Sequence, residues 1–222
     1  MFLIRSLFIL ATLGVASPMV EAQEHAPEDL PEGLVEALNQ RQAEIESDPA
    51  ALELAIEAGR ERAVFCNTCH GPDGSAERVN YPSLAGQNPV YLLDQIEQFA
   101  DGSRKKTVMN VLAETFSTRE KVTLAIYYAN MELERSEHID LDIARSGAPV
   151  YQARCAACHG SDGMGEEGYA RIAGQQPGYV ANVLREYRSG DSPRRFSVMY
   201  GIASALSDDD VEAVAHYIAS LR

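Results

Sequence analysis

Apolar residues along this chain recur mainly at intervals of three and four, the spacing of one helical face, and strands find little support. From Asp48 to Cys66 the pattern is amphipathic. Asp48 is a good N-cap and Pro49 suits a first helical position, so a helix is predicted there, with Gly59 as a candidate break within it. A second helix is predicted from Asn88 or Pro89 to Phe99, with Val90, Leu93, Ile96 and Phe99 on one face. Ser117 and Glu120 read as a capping box before Val122, Leu124, Ala125 and Tyr128. Ser207 and Asp210 repeat that arrangement before Val211, Val214, Tyr217 and Ile218. Loops bearing Gly and Pro separate these runs, and Leu30, Leu34, Leu38 and Ile45 add a helical spacing nearer the N-terminus.

The pattern occurs twice. "CNTCHGPDG" at 66–74 answers to "CAACHGSDG" at 155–163, and the "AGQ" stretch of 81–105 to that of 169–194. "VMNVLAETFSTREKVTLAIYYA" at 108–129 matches "VMYGIASALSDDDVEAVAHYIA" at 198–219. The offset stays between 88 and 90 residues, as a duplication requires. Each unit is small enough to need a staple beyond its own apolar core. The expected organisation is a leader at 1–22, an acidic helical extension at 23–58, a first domain at 59–131, a linker at 132–146 and a second domain at 147–222.

Charge sharpens this division. The net charge of −14 is concentrated in 23–58, with −9, and in 132–146, with −3. Residues 59–131 sum to zero and 147–222 to −2. No basic surface for phosphate is apparent, so nucleic acid is not an expected partner. Arg5, the apolar run from Leu7 to Val15 and the small residues up to Ala22 read as an export signal cleaved after Ala22, the alternative being a retained anchor. No later segment is long and apolar enough to span a bilayer, so the mature chain is expected to be exported, with no transmembrane segment.

All four cysteines lie in the two C-x-x-C-H motifs, Cys66, Cys69 and His70, then Cys155, Cys158 and His159. Pairs this close are poor structural disulfides, and C-x-x-C-H is the pattern of c-type haem attachment. Each thiol adds across one porphyrin vinyl, a helical turn sets the two sulfurs under the two vinyls, and the adjacent imidazole meets the iron. A thioredoxin-like dithiol would need a βαβ context. A four-cysteine zinc site would bring its pairs closer than the 85 residues between Cys69 and Cys155 that the duplication implies. Two c-type haems are therefore the expected cofactors, with His70 and His159 as iron ligands.

Methionine stands at matched positions in both halves. Met109 lies 39 residues after His70 and Met199 lies 40 after His159, enough chain to return on the far side of a haem. A single methionine of this kind would read as core filling; the matched pair is better read as sixth ligands. Met164, Met131, His25, His138 and His216 lack counterparts and are expected in packing or surface roles. Paired His/Met ligation raises the reduction potential and leaves no open coordination position, which predicts an electron carrier with no catalytic residues.

With C-x-x-C-H-G-x-D-G, "YPSLAGQ" or "RIAGQ", the following "Y…L…Q/E…F/Y…G" helix, the methionines and the closing "YYA" or "YIA" helix, the chain resembles dihaem cytochromes c of the cytochrome c4 family over about 59–222. The resemblance implies an all-α fold of two tandem class I cytochrome c domains packed face to face, each wrapped around one covalently bound haem, beside the N-terminal helical extension. It implies a periplasmic carrier between respiratory redox partners, such as a quinol-oxidising complex and a membrane-bound terminal oxidase. The alternative is the cytochrome subunit of a flavin-containing sulfide dehydrogenase, with a flavoprotein partner. A dihaem enzyme with an open iron is a third class, disfavoured by the two methionines. The resemblance also implies that each imidazole N–H bonds a backbone carbonyl before "AGQ". Pro82 matches in the first half, and Ala170 departs from it in the second, so the two haems are expected to differ. Arg104, Lys105, Arg194 and Arg195 are candidate partners for haem propionates, or ordinary surface bases.

Overall fold

The computed structural model describes residues 30–165, 168–190 and 197–222. The leader, His25, Arg194 and Arg195 lie outside the described residues. The first half comprises α1 (Glu32–Ser47), α2 (Pro49–Arg62), α3 (Asn67–His70), α4 (Pro89–Ala100), α5 (Thr107–Glu114) and α6 (Thr118–Ala129). The second comprises α7 (Leu141–Arg154), α8 (Ala156–His159), α9 (Pro177–Ser189), α10 (Met199–Ser204) and α11 (Asp208–Ser220). Among the described residues there is no strand, and no helix is long and apolar enough to cross a membrane.

The predicted caps form. The Asp48 side chain accepts from the Ala50 N–H to start α2, and Asn88 accepts from Val90 and Tyr91 to start α4. Both capping boxes are complete, Ser117 with Glu120 and Ser207 with Asp210. The apolar faces point where the periodicity predicts, since Val122, Leu124, Ala125 and Tyr128 are buried on α6 and Val211, Val214 and Ile218 on α11. α5, α10 and the start of α7 inside the linker segment were not anticipated.

Gly59 does not break α2. It is buried mid-helix, and a Cβ there would lie 2.2 Å from the Cβ of Tyr127 on α6. Its repeat counterpart Gly147 in α7 faces the Ala213 carbonyl of α11, where a Cβ would come within 2.1 Å. These glycines let α2 cross α6, and α7 cross α11, at closer range than a side chain permits. The helix-propensity cost of glycine, about 1 kcal/mol, is thus offset by a tight crossing that closes each half of the repeat.

The extension packs on the first half. α1 lies against α2 and α6, and Leu30, Leu34 and Leu38 join the core of Leu92, Leu93, Val122 and Tyr127. Each such leucine contributes about 1.5–3 kcal/mol on burial. Its acidic residues Glu32, Glu36 and Glu46 are exposed. A separate core forms around Tyr151, Leu184, Val211 and Val214 in the second half, with nothing equivalent to α1 added to it among the described residues.

Candidate haem attachment and ligand sites

The site in each half is built by the end of one helix. α2 ends at Arg62, a 3-10 turn covers Ala63–Phe65, and Cys66, Cys69 and His70 follow on that turn and α3. In the second half α7 runs to Arg154, and Cys155, Cys158 and His159 follow on the next turn and α8. The backbone then reverses through Gly71 and Gly160, at φ +83° and +79°, a conformation that L side chains rarely adopt. The motif thus ends in the one residue type that turns the chain away immediately behind the imidazole.

The two imidazoles are held alike. His70 Nδ1 lies 2.8 Å from the Pro82 carbonyl oxygen, and His159 Nδ1 lies 2.9 Å from that of Ala170. A carbonyl oxygen only accepts, so Nδ1 carries the proton and the Nε2 lone pair is left to a metal. Replacing proline by alanine keeps the bond because the acceptor belongs to the backbone. Burial lowers the affinity of both rings for a second proton, partly opposed by these carbonyl bonds; for His70 the charge of Arg104 lowers it further. Both rings are thereby kept in the neutral form that ligates iron.

No disulfide joins any of the four cysteines. Burial pushes the Cys66 thiol up, and that of Cys155 up to about 11. The buried Tyr128 hydroxyl faces Cys66 and has no other hydrogen-bond partner. Among the described residues no three His, Cys, Asp or Glu side chains gather closely enough to hold a metal by themselves. The donor set in each half, two thiols at one turn and one neutral imidazole with a free nitrogen, suits a covalently tethered haem better than a bare ion.

The candidate sixth ligands lie on short helices. Met109 is half-buried in α5, which packs on α4. Asn110 beside it ties the preceding loop, donating to the carbonyls of Phe99 and Arg104, each at 2.7 Å, and accepting from the Lys106 N–H at 2.8 Å. Nothing in the periodicity singled out Asn110, since its role is set by a loop rather than by a face. Met199 opens α10, donates its backbone N–H to Ser197 Oγ at 3.2 Å, and packs against the core that contains Cys155. Met164 is exposed, and its sulfur accepts from Arg171 Nε at 3.4 Å. His138 Nε2 meets the Glu77 carbonyl at 3.1 Å, and His216 Nδ1 accepts from the Asp140 N–H at 3.0 Å, so both serve the linker. Arg104 is buried, donates to Gln95 at 2.5 Å and to the Tyr179 hydroxyl of the second half at 3.2 Å, whereas Lys105 is exposed.

Comparison with known proteins follows the same lines. The cytochrome c family model matches residues 144–222. The chain is 31% identical over 177 residues to cytochrome c4 of Pseudomonas aeruginosa, covering 74% of this chain and 88% of that protein. It is 32% identical over 172 residues to a thiosulfate dehydrogenase electron acceptor of Stutzerimonas stutzeri, covering 72% and 80%. The crystal structure of reduced recombinant cytochrome c4 from Pseudomonas stutzeri superposes with a TM-score of 0.69 at 29% identity, covering 75% of this chain and 98% of that one. Two class I cytochrome c domains and an added N-terminal helix are therefore the architecture. This chain belongs to the cytochrome c4 family, as a c-type haem protein that carries electrons and is not an enzyme.

Proposed function

We propose that the protein is a periplasmic carrier of one electron per haem, exported by the leader at 1–22 and spanning no membrane once that leader is cleaved. Cys66 and Cys69 tether one porphyrin, Cys155 and Cys158 the other. His70 and Met109 are assigned to the first iron, His159 and Met199 to the second. The observation that supports this most is the matched pair of Nδ1–carbonyl bonds, which frees the same ring nitrogen in both halves. A bound haem supplies the one-electron couple. The chain's part is to keep each imidazole neutral and aimed, to fill the sixth position with a thioether that favours ferrous iron, and to keep water from both. Of the four candidate bases, Arg104 is the one assigned to a propionate, on its burial and on the reach of its charge to His70.

The partners are redox proteins. A respiratory route from a quinol-oxidising complex to a terminal oxidase is the first reading. The likeness to a thiosulfate dehydrogenase electron acceptor supports a second, in which a separate sulfur-oxidising enzyme is the donor.

The test is the ferric absorption spectrum, scanned for the weak red band of methionine-ligated haem and normalised by a pyridine haemochrome count. Two haems per chain and a band that falls by half in Met109→Ala, and by half in Met199→Ala, are expected. A band equal to one haem, or a high-spin band in the unmutated protein, would overturn the ligand assignment.

A further inference from the structure

The two halves meet through the loops that carry the histidine acceptors. Gln175 of the second half is buried, and its carboxamide reads the backbone of Ser83 in the first. Its Oε1 accepts from the Ser83 N–H at 2.8 Å and its Nε2 donates to the Ser83 carbonyl at 3.0 Å. Gln87 of the first half, also buried, does the same to Arg171 in the second. Its Oε1 accepts from the Arg171 N–H and its Nε2 donates to the Arg171 carbonyl, both at 2.7 Å. Gln87 and Gln175 are repeat counterparts, as are Ser83 and Arg171, so the contact is reciprocal. Each Oε1 also accepts from the N–H of the next residue in its own chain segment, Asn88 at 3.0 Å and Gln176 at 2.9 Å. These bonds fix which carboxamide atom faces which way.

The N–H that each glutamine takes is not an arbitrary one. The Ser83 N–H belongs to the same peptide unit as the Pro82 carbonyl, which accepts the His70 ring proton. The Arg171 N–H likewise shares a peptide unit with the Ala170 carbonyl, which accepts from His159. A peptide whose N–H is engaged is more polarised, and its oxygen is a better acceptor. A better acceptor draws on the ring proton and makes the opposite ring nitrogen a stronger donor to ferric iron. We propose that Gln175 and Gln87 are redox-positioning residues, each setting, through one peptide unit, the proximal histidine of the opposite domain. The interface is then more than a clamp. The potential of each haem then depends on the other domain being docked.

This rests on the histidine assignment proposed above, and holds whichever group fills the sixth position. The variants are Gln175→Met and Gln87→Met, which keep the length of the side chain and remove its hydrogen bonds. Each haem is titrated through its own methyl proton resonances, assigned by contact with its own thioether cysteines. Gln175→Met is expected to raise the reduced-to-oxidised ratio of the first haem about threefold at fixed potential, roughly 30 mV at 59 mV per tenfold. The second haem stays unchanged. Gln87→Met is expected to give the mirror result. Gln175→Glu should restore the first haem, because a buried carboxyl stays protonated and presents the same acceptor and donor. Equal shifts of both haems, a shift confined to the variant's own domain, or no shift would overturn the relay. The red band of the unmutated protein reports on the methionines separately, so failure of that assignment leaves a different trace.

Discussion

Four residues before the first attachment cysteine, the two halves of the molecule place different chemistry. In the first half the residue is Arg62, whose guanidinium lies 4.4 Å from the centre of the Phe116 ring and pairs with Glu120 at 2.8 Å. In the second it is Tyr151, fully buried, whose hydroxyl donates to the Gly160 carbonyl at 2.6 Å while its ring meets Tyr217. The backbone around them is shared, including the helix crossing, the glycine after the histidine and the carbonyl bond to Nδ1. Duplication has kept the contacts that aim the ligands and changed the charges that surround them. A positive charge whose field reaches Cys66 disfavours ferric iron beside it. The first haem is therefore expected to be the better electron acceptor.

The comparison breaks most visibly at the glycine crossings. Gly147→Ala and Gly59→Ala are each expected to cost about 3 kcal/mol, by overpacking. Gly147→Ala should cost the more, because its obstacle is the α11 backbone at Ala213, whereas Gly59 faces the Tyr127 side chain. Denaturant midpoints of the two haem-loaded variants would show this, and losses below about 1 kcal/mol in both would mean that the crossings are slack.

Next in size is the extension, which only the first half carries among the described residues. Leu38→Ala removes a side chain that is 1% exposed. It should destabilise the first half by about 2–3 kcal/mol, with hydrogen exchange in α11 unchanged. Uniform loss of protection in both halves would show that they unfold as one unit.

Smaller effects belong to the capping boxes. Ser117→Ala and Ser207→Ala should each cost about 1 kcal/mol. Both N3 carboxyls are held below the usual carboxylate range. For Glu120 the Ser117 N–H is the larger cause and the hydroxyl the second, and for Asp210 the Ser207 hydroxyl comes first. A depressed carboxyl contributes stability above its unfolded pKa and loses it as pH falls through the folded one. The two variants should therefore lose stability less steeply on acidification than the unmutated protein, as urea titrations between neutral pH and about pH 3 would report.

The smallest effect tests the asymmetry itself. Arg62→Met should lower the reduced-to-oxidised ratio of the first haem by about twofold at fixed potential and leave the second alone. Arg62 is partly exposed and paired with Glu120, so its field is screened to well under about 1 kcal/mol. An unchanged ratio would mean that the Arg62 charge does not set the first haem apart.

Much of the site was legible along the chain, because its chemistry is local. Cys66, Cys69 and His70 lie within one helical turn, and so do Cys155, Cys158 and His159. A tether of that kind needs no distant partner to be recognised. The caps at Asp48, Asn88, Ser117 and Ser207 are equally local, since a side chain there bonds backbone two or three residues on. The acceptor role of Ala170 came from the family resemblance rather than from the residues, and the bond survives the loss of proline because the acceptor is a backbone carbonyl.

What escaped was the particular contacts made between segments far apart in the chain. Gly59 looks like a helix breaker until α6 lies across it and leaves no room for a Cβ. Leu30, Leu34 and Leu38 form an apolar stripe with an undetermined partner until α6 covers it. Gln87 and Gln175 are polar residues in a loop motif until each finds a peptide unit 84 to 92 residues away. Helical periods, caps and tethers are short-range, so residue order alone specifies them. Which surfaces meet depends on the sum of many weak contacts, and no single stretch of residues contains that sum.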